Sequence, residues 1–342
     1  MKKTMTSILA GLTTAALALS LCTTALAAPA GKKAADETGK TASQVSKTVP
    51  GRVWQREYLE GYLYYTGPAP AKVPEGEQPP AFRPSWLPEG YALSSASTGG
   101  VPLKGEVTAD WSYENGEDRM NFSCFLRPTG SLGAAAGAAV SGDSILRKTK
   151  VQGCDADFYQ GVPSHGYLTN DLVWENKQGN LFWLSGSLDQ ATMEKIAESV
   201  AEVKSEPLPE YALTILPTGA SLFSRSTLPE VVKEQWSVEG SGGFSWTYST
   251  LPLHTGGTGA VETVKVNGSE ARFWQEKTQV LTVVAKTGDS ETSATLGGST
   301  CSSLLWTDPE TKINFLLQGN LDRDVLIFMA EHVGVKNTEA GK

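Results

Sequence analysis

Apolar positions in this chain recur with two different periods. Met193, Ile196, Ala197 and Val200 fall at i, i+3, i+4 and i+7, and Leu326, Met329, Ala330 and Val333 repeat that spacing. Such a stripe marks a helix with one face to bury. Asp189 and Asp322 stand ahead of the two stripes as N-caps. Leu188 with Met193, and Leu321 with Leu326, occupy the two positions of a hydrophobic staple. Elsewhere, short β-branched and aromatic runs are bounded by Gly, Asn and Asp, the pattern of strands and turns. Residues 151–160 contain Gln152-Gly153, and a matching stretch contains Asn267-Gly268, a tight-turn signal. Residues 172–174 and 181–184 predict a second hairpin around residues 176–180, with a comparable turn near Asp308-Pro309. A strand before each hairpin set comes from residues 121–126 and 244–248.

These elements belong to an internal repeat. Lys150-Val151-Gln152-Gly153-Cys154-Asp155-Ala156-Asp157-Phe158-Tyr159-Gln160 aligns without gaps on Lys265-Val266-Asn267-Gly268-Ser269-Glu270-Ala271-Arg272-Phe273-Trp274-Gln275. Leu172-Val173-Trp174 matches Leu304-Leu305-Trp306, and Phe182, Gly186, Leu188-Asp189, Ala197-Glu198 and Val200 match Phe315, Gly319, Leu321-Asp322, Ala330-Glu331 and Val333. Upstream, Leu87-Pro88-Glu89-Gly90 parallels Leu216-Pro217-Thr218-Gly219, and Trp111-Ser112-Tyr113-Glu114 parallels Trp236-Ser237-Val238-Glu239. Blocks in the same order over so long a span indicate duplication of a whole domain. The expected fold is α+β: two tandem repeats, each an antiparallel β-sheet packed by a C-terminal α-helix, because a helix with one apolar stripe must bury it. Residues 84–204 are assigned to the first repeat, 211–336 to the second, and 337–342 to a tail.

The N-terminus follows another pattern. Lys2 and Lys3 precede an apolar run over residues 8–21, and Ala25-Leu26-Ala27 fits a cleavage site before Ala28. The run is shorter than the roughly 20 apolar residues of a spanning helix, so residues 1–27 read as a signal peptide. Lipidation at Cys22 is the lesser alternative, because Leu21 is bulky where a lipoprotein signal has a small residue. Residues 28–83 read as a spacer without periodicity, an aromatic patch (Trp54, Tyr58, Leu59, Tyr62, Leu63, Tyr64, Tyr65) and a Pro-rich linker. The patch is expected to add a strand or short helix to the first repeat, or to dock a partner.

The repeat blocks resemble a bacterial family known as domain of unknown function 4367. The resemblance lies in Leu87-Pro88-Glu89-Gly90-Tyr91, the Gly-x-x-Ala-x-Phe-Tyr hairpin, Leu172-Val173-Trp174-Glu175, the Leu-Ser-Gly segment at 184–186 and the Ile-Ala-Glu-Ser-Val helix. It covers residues 84–204 well and 211–336 more weakly. It implies an extracytoplasmic module that senses or binds, often behind a membrane helix, for which no activity is assigned. A signal peptide in place of that helix sets this chain apart.

Charge narrows the partners. Cleavage removes Lys2 and Lys3 and no acid, leaving 27 bases against 37 acids and a net charge of −10. A nucleic-acid partner, which needs a basic surface, is not expected. The remaining cysteines are Cys124, Cys154 and Cys301. An exported protein admits a disulfide, and Cys124 with Cys154 is the candidate pair, set beside the alternative of three inert thiols.

Candidate chemistry is sparse. His165, His254 and His332 show no metal-ligand spacing, and no G-x-S-x-G nucleophile elbow occurs. Cys154 near His165 has no counterpart in the second copy, which carries Ser269. Asp155 and Asp157 share a strand face, but the second copy has Glu270 and Arg272 there, which argues against a paired acid–base or metal site. The tryptophans at 111, 174, 236 and 306 read as core. Tyr159 and Trp274 follow Phe158 and Phe273, so strand alternation turns them outward if the Phe residues are buried. There they would bind a ligand or bury the joint between copies. The expected function is a non-enzymatic extracytoplasmic binding or sensing protein of the cell envelope, with no catalytic residues, metal or cofactor. Its partner is an unknown protein, glycan or lipid. A carrier or chaperone for lipid or lipoprotein cargo is the first alternative and an envelope hydrolase the second.

Overall fold

The computed structural model describes residues 53–59, 62–66, 80–98, 108–116, 118–126, 139–141, 143–161, 168–204, 206–239, 242–254, 260–277, 281–287, 290–296 and 300–336. All of them belong to one compact unit, Lys33–Lys342. The signal peptide, Cys22 and residues 28–52 lie outside the described residues. The chain starts with β1 (Gln55–Leu59), β2 (Tyr62–Thr66) and β3 (Phe82–Pro84). It continues through β4 (Ala92–Thr98), β5 (Thr108–Asn115), β6 (Asp118–Phe125), β7 (Ala139–Ser141), β8 (Ile145–Val151), β9 (Cys154–Gln160), β10 (Asn170–Glu175) and β11 (Leu181–Gly186) to α1 (Gln190–Glu198) and β12 (Val200–Glu202). The second half runs β13 (Tyr211–Leu213), β14 (Ala220–Leu228), β15 (Val231–Val238), β16 (Gly242–Ser249), β17 (Glu262–Val266), β18 (Ser269–Lys277), β19 (Leu281–Thr287), β20 (Ser290–Leu296), β21 (Thr300–Thr307) and β22 (Asn314–Gly319). It closes with α2 (Arg323–Glu331) and β23 (Val333–Val335).

The fold is mostly antiparallel β-sheet, with two helices among the described residues. Its body is two seven-stranded sheets, in the orders β4-β5-β6-β11-β10-β9-β8 and β14-β15-β16-β22-β21-β18-β17. Strand for strand the two orders correspond. One face of each sheet, here the inner face, packs against its helix. Trp111, Phe122, Trp174 and Phe182 share a core with Met193, Ile196 and Ala197 of α1. Trp246, Trp306, Phe315 and Leu317 share one with Leu326, Met329 and Ala330 of α2. Nine-residue helices do not persist alone in water, so this burial is what holds them.

Three details differ from expectation. Val200 and Val333 leave the helices and start β12 and β23, which pair with β3 and β13. Asp189 caps α1 by accepting from the Thr192 amide at 2.9 Å, whereas the Asp322 side chain makes no capping bond. The third concerns the tryptophans. Gly186 and Gly319 correspond, and they pair with Met120 and Phe244. Met120 pairs in turn with Tyr113, and Phe244 with Trp236. Trp236 therefore takes the place of Tyr113, not of Trp111, whose counterpart is Glu234. Bulges after Leu93 and Leu222 fall at the same place in this register.

Both tight turns do more than reverse the chain. Gln152 and Gly153 have φ of 51° and 74°, and Asn267 and Gly268 have 47° and 83°, the left-handed pair that a two-residue hairpin turn needs. From there the Gln152 amide donates to the Glu198 and Val200 carbonyls at 3.1 and 2.7 Å. Asn267 donates to the Glu331 carbonyl at 3.2 Å. Each turn thus satisfies the last carbonyl of its helix, Glu198 or Glu331, which would otherwise lack a partner.

Candidate functional site

Residues on the other, outer face of the first sheet lie in two neighbouring rows. Pairing places Asp110, Ser123, Trp183, Val173, Asp157 and Lys148 side by side across β5, β6, β11, β10, β9 and β8. The next row, two residues along, is Ser112, Asn121, Ser185, Asp171, Tyr159 and Leu146. Val173, Asp157, Tyr159 and Leu146 are covered, with Lys148 exposed at the rim, and Asp171 with the β5, β6 and β11 residues forms a polar strip.

The cover is the N-terminal aromatic patch, folded as β1 and β2 and extended by β7. Trp54, Leu63, Tyr65 and Val140 form a small core with Phe125, Leu146, Tyr159, Val173 and Leu181. Its polar anchor is Asp157, 2 % exposed. The Tyr65 hydroxyl and the Lys148 ammonium both bond its carboxylate, and Arg56 stands 3.5 Å away. The Tyr65 and Tyr159 hydroxyls meet at 2.7 Å. Burial pushes both phenols above their ordinary range. Glu175 accepts from the Val53 and Trp54 amides, and the Trp54 indole donates to the Gly179 carbonyl at 3.0 Å.

The strip consists of Asp110, Ser112, Asn121, Ser123, Asp171, Trp183 and Ser185. Asp171 and Ser123 form its buried floor, and the others are partly exposed. Trp183, partly buried, packs against the small core and donates its indole N–H to Asp171 Oδ1 at 2.7 Å. Burial raises the Asp171 carboxyl to about 6, against the pull of hydrogen bonds from Trp183 and Ser185. Burial also raises Asp110, opposed by a hydrogen bond from Ser123. Ser112 donates to Asn121 Oδ1 at 2.6 Å. Asp110 and Asp171 stand three strands apart, about 14 Å along the sheet. That is wider than the roughly 5–10 Å of a glycosidase carboxylate pair.

The corresponding face of the second sheet is closed in part: Thr247, Ser303 and Leu316 are buried, while Lys233, Gln235, Ser245 and Gln318 stay partly exposed. Lys233, Gln235, Ser245, Thr247, Ser303, Leu316 and Gln318 replace Asp110, Ser112, Asn121, Ser123, Asp171, Trp183 and Ser185 in the matched register. Leu228, Val231, Leu253, Trp274 and Leu316 there belong to the core cluster of the first repeat. Polar contacts pin the joint. Arg83 grips Glu230 through two nitrogens. The Lys233 ammonium donates to Ser95 Oγ at 3.0 Å, its pKa lowered by burial. The His254 amide donates to the Leu93 carbonyl at 2.7 Å, with the His254 ring 3.6 Å from Glu114.

Tyr159 and Trp274 do turn away from Phe158 and Phe273, but neither is exposed. Tyr159 is 0 % and Trp274 1 % accessible, because the N-terminal hairpin covers the first and the inter-repeat core takes in the second. Neither presents a surface to a ligand. Cys124 and Cys154 are both free. Cys124 stands in register with Phe182, Trp174 and Ala156, three strands from the β9 end where Cys154 lies. That is about 14 Å, twice the reach of a disulfide. Cys301 is free as well. Of the histidines, His254 lies at the inter-repeat joint, His332 bonds the Phe328 carbonyl on α2, and His165 lies outside the described residues. Among the described residues no acid, His or Cys group has metal-holding geometry, and no helix is long and apolar enough to cross a membrane.

The strip was not singled out from the sequence. A usable signal existed: Asp171, in the run Asn170-Asp171-Leu172-Val173-Trp174, is a lone acid among residues of a buried strand.

No family model and no curated protein matches the chain. Among solved structures it is similar to a chain of the MucA/MucB complex of Pseudomonas aeruginosa. Identity is 12 %, the match covers 75 % of this chain and 93 % of that one, and the TM-score is 0.21. A chain of a structure of MucB in complex with MucA(peri) matches at 12 % identity over 75 % and 94 %, with a TM-score of 0.18. Likeness at this level carries no argument about fold or function.

Proposed function

We propose that this chain is an exported, non-enzymatic binding protein of the bacterial cell envelope, with the outer strip of its first sheet as the ligand face. One observation carries this reading. Two copies of one sheet diverge on their outer faces: Leu316 of the second is buried in the core of the first repeat, while the first keeps at that position a part-exposed Trp183, bonded to Asp171 among hydroxyl, amide and carboxyl groups. Asp171 is held by Trp183 and Ser185 and Asp110 by Ser123, so the hydrogen-bonding groups of the strip are fixed in place. The N-terminal export signal and the resemblance to domain of unknown function 4367 support the extracytoplasmic setting.

The carrier alternative needs room between sheet and helix. Those spaces are filled by Trp111, Trp174, Phe182 and Met193 in one repeat and Trp246, Phe315 and Leu326 in the other. The hydrolase alternative needs acids or histidines within a few ångströms of a common substrate atom, and the separation of Asp110 and Asp171 opposes it. The test is binding of the chain from Ala28 onward to isolated envelope fractions, with Trp183→Ala and Asp110→Asn variants beside it. Loss of binding in both, with unchanged far-UV and near-UV circular dichroism, is the expected result. Binding untouched by either substitution would move the ligand face elsewhere.

A further inference from the structure

Building on the strip as the ligand face, we propose that its ligand is an uncharged carbohydrate chain lying along the sheet. The lining selects this class. Apart from the Trp183 indole, every group in the strip is a hydroxyl, an amide or a carboxyl. A sugar presents both matching chemistries: a C–H face that stacks on an indole, and hydroxyls that donate and accept around its rim.

Other classes fit less well. A protein partner needs a dry apolar centre ringed by polar groups, and the strip has a single aromatic group in a polar field. A lipid chain needs enclosing apolar walls. A polyanion would meet Asp110 and Asp171 without a cation between them in either row.

The groups are also held in advance of binding, which lowers the entropy of fixing them. The indole is locked by its bond to Asp171, and the Asn121 carbonyl is held by Ser112. That arrangement leaves the Asn121 amide nitrogen to donate to a ligand. The strip runs about 14 Å across strands and about 7 Å between its two rows, the footprint of a short oligosaccharide. The second repeat serves as an internal contrast. Leu316 and Ser303 stand where Trp183 and Asp171 would be, both buried, and that row carries no indole.

The test is isothermal titration of the chain from Ala28 onward with N-acetylglucosamine oligomers and with gluco- and manno-oligosaccharides, plus oligolysine as a cationic probe. At least one neutral oligosaccharide should bind, with affinity falling tenfold or more in Trp183→Ala and much less in Trp183→Phe. Oligolysine binding that depends on Trp183, with no oligosaccharide bound, would overturn the carbohydrate assignment and leave the strip as a ligand face. Oligosaccharide binding indifferent to Trp183→Ala would place the sugar elsewhere and overturn the proposal. If no probe binds in a Trp183-dependent way, while circular dichroism shows the variant folded, both the carbohydrate assignment and the ligand face fall.

Discussion

Replacing Asp171 with Asn should remove a step from the pH dependence of stability. In the folded chain burial raises this carboxyl from 3.8 to about 6. The unfolded chain releases its proton near the ordinary value. Between the two, the folded state retains a proton that the unfolded state has lost, so stability falls as pH rises. Below the unfolded value both states are protonated and the contribution is fully present; above the folded value it is gone. At 1.36 kcal/mol per pH unit, the loss is about 3 kcal/mol. Asn at this position keeps the geometry, since its carbonyl accepts from the Trp183 indole as Asp171 Oδ1 does at 2.7 Å. Its amide can donate to Ser185. The variant never ionises, so its advantage over the parent should grow by about 1–3 kcal/mol from pH 4 to pH 7. Urea unfolding of both proteins at half-unit pH intervals measures that difference, in which titrations elsewhere cancel. Parallel stability curves across the interval would refute the burial argument, and with it the role of Asp171 as a desolvated floor to the strip.

Four further outcomes follow from the geometry. Asp189→Ala should cost about 1 kcal/mol, the usual value of an N-cap, and Asp322→Ala markedly less, because only Asp189 bonds a helix amide; thermal unfolding of the two variants compares them. Gln152→Ala should cost about 1–2 kcal/mol, from lost bonds to the Glu198 and Val200 carbonyls and a left-handed backbone that alanine tolerates poorly, read by chemical denaturation. Glu230→Gln leaves the mostly buried Arg83 without its counter-charge at the inter-repeat joint and should cost about 2 kcal/mol, with Arg83→Met less damaging in the same assay. Thiol titration of the native protein should label the part-exposed Cys154 and Cys301 and spare Cys124 until unfolding, and intact mass should show no disulfide.

Local chemistry was legible in the sequence wherever the partner was close along the chain. The helical stripes, the Asp189 cap and the left-handed turns at Gln152-Gly153 and Asn267-Gly268 are all set within a few residues. Features that depend on distant partners were not. Alternation correctly turned Tyr159 away from Phe158, but its cover is Tyr65, 94 positions earlier. Val200 continues the helical spacing, yet pairs with Pro84 as a strand. Cys124 and Cys154 lie 30 positions apart in sequence, but the interposed β10 and β11 separate them in space. Trp236 was placed two positions from its true counterpart because the first repeat carries a large aromatic side chain at both 111 and 113. Only strand pairing separates Trp111 from Tyr113. The strip itself draws on β5, β6, β10 and β11, and no window of sequence contains it.

The duplication also bears on how many ligands one chain can hold. The inner faces of the two sheets keep one pattern, aromatic side chains closed by a short helix, since each copy needs a core to fold. Their outer faces face different demands. A single sheet with one covered face leaves its other face to water or to a partner. In the second copy part of that face meets the first repeat, which accounts for buried Leu316 in place of Trp183. In the first copy half of the outer face is covered by the N-terminal hairpin, anchored on Asp157, and Arg272 stands at that position in the second. What remains open is the strip around Trp183. On the proposed reading only the first copy carries the part-exposed indole, and a titration that fits two equal sites per chain would contradict this account of why the copies diverged.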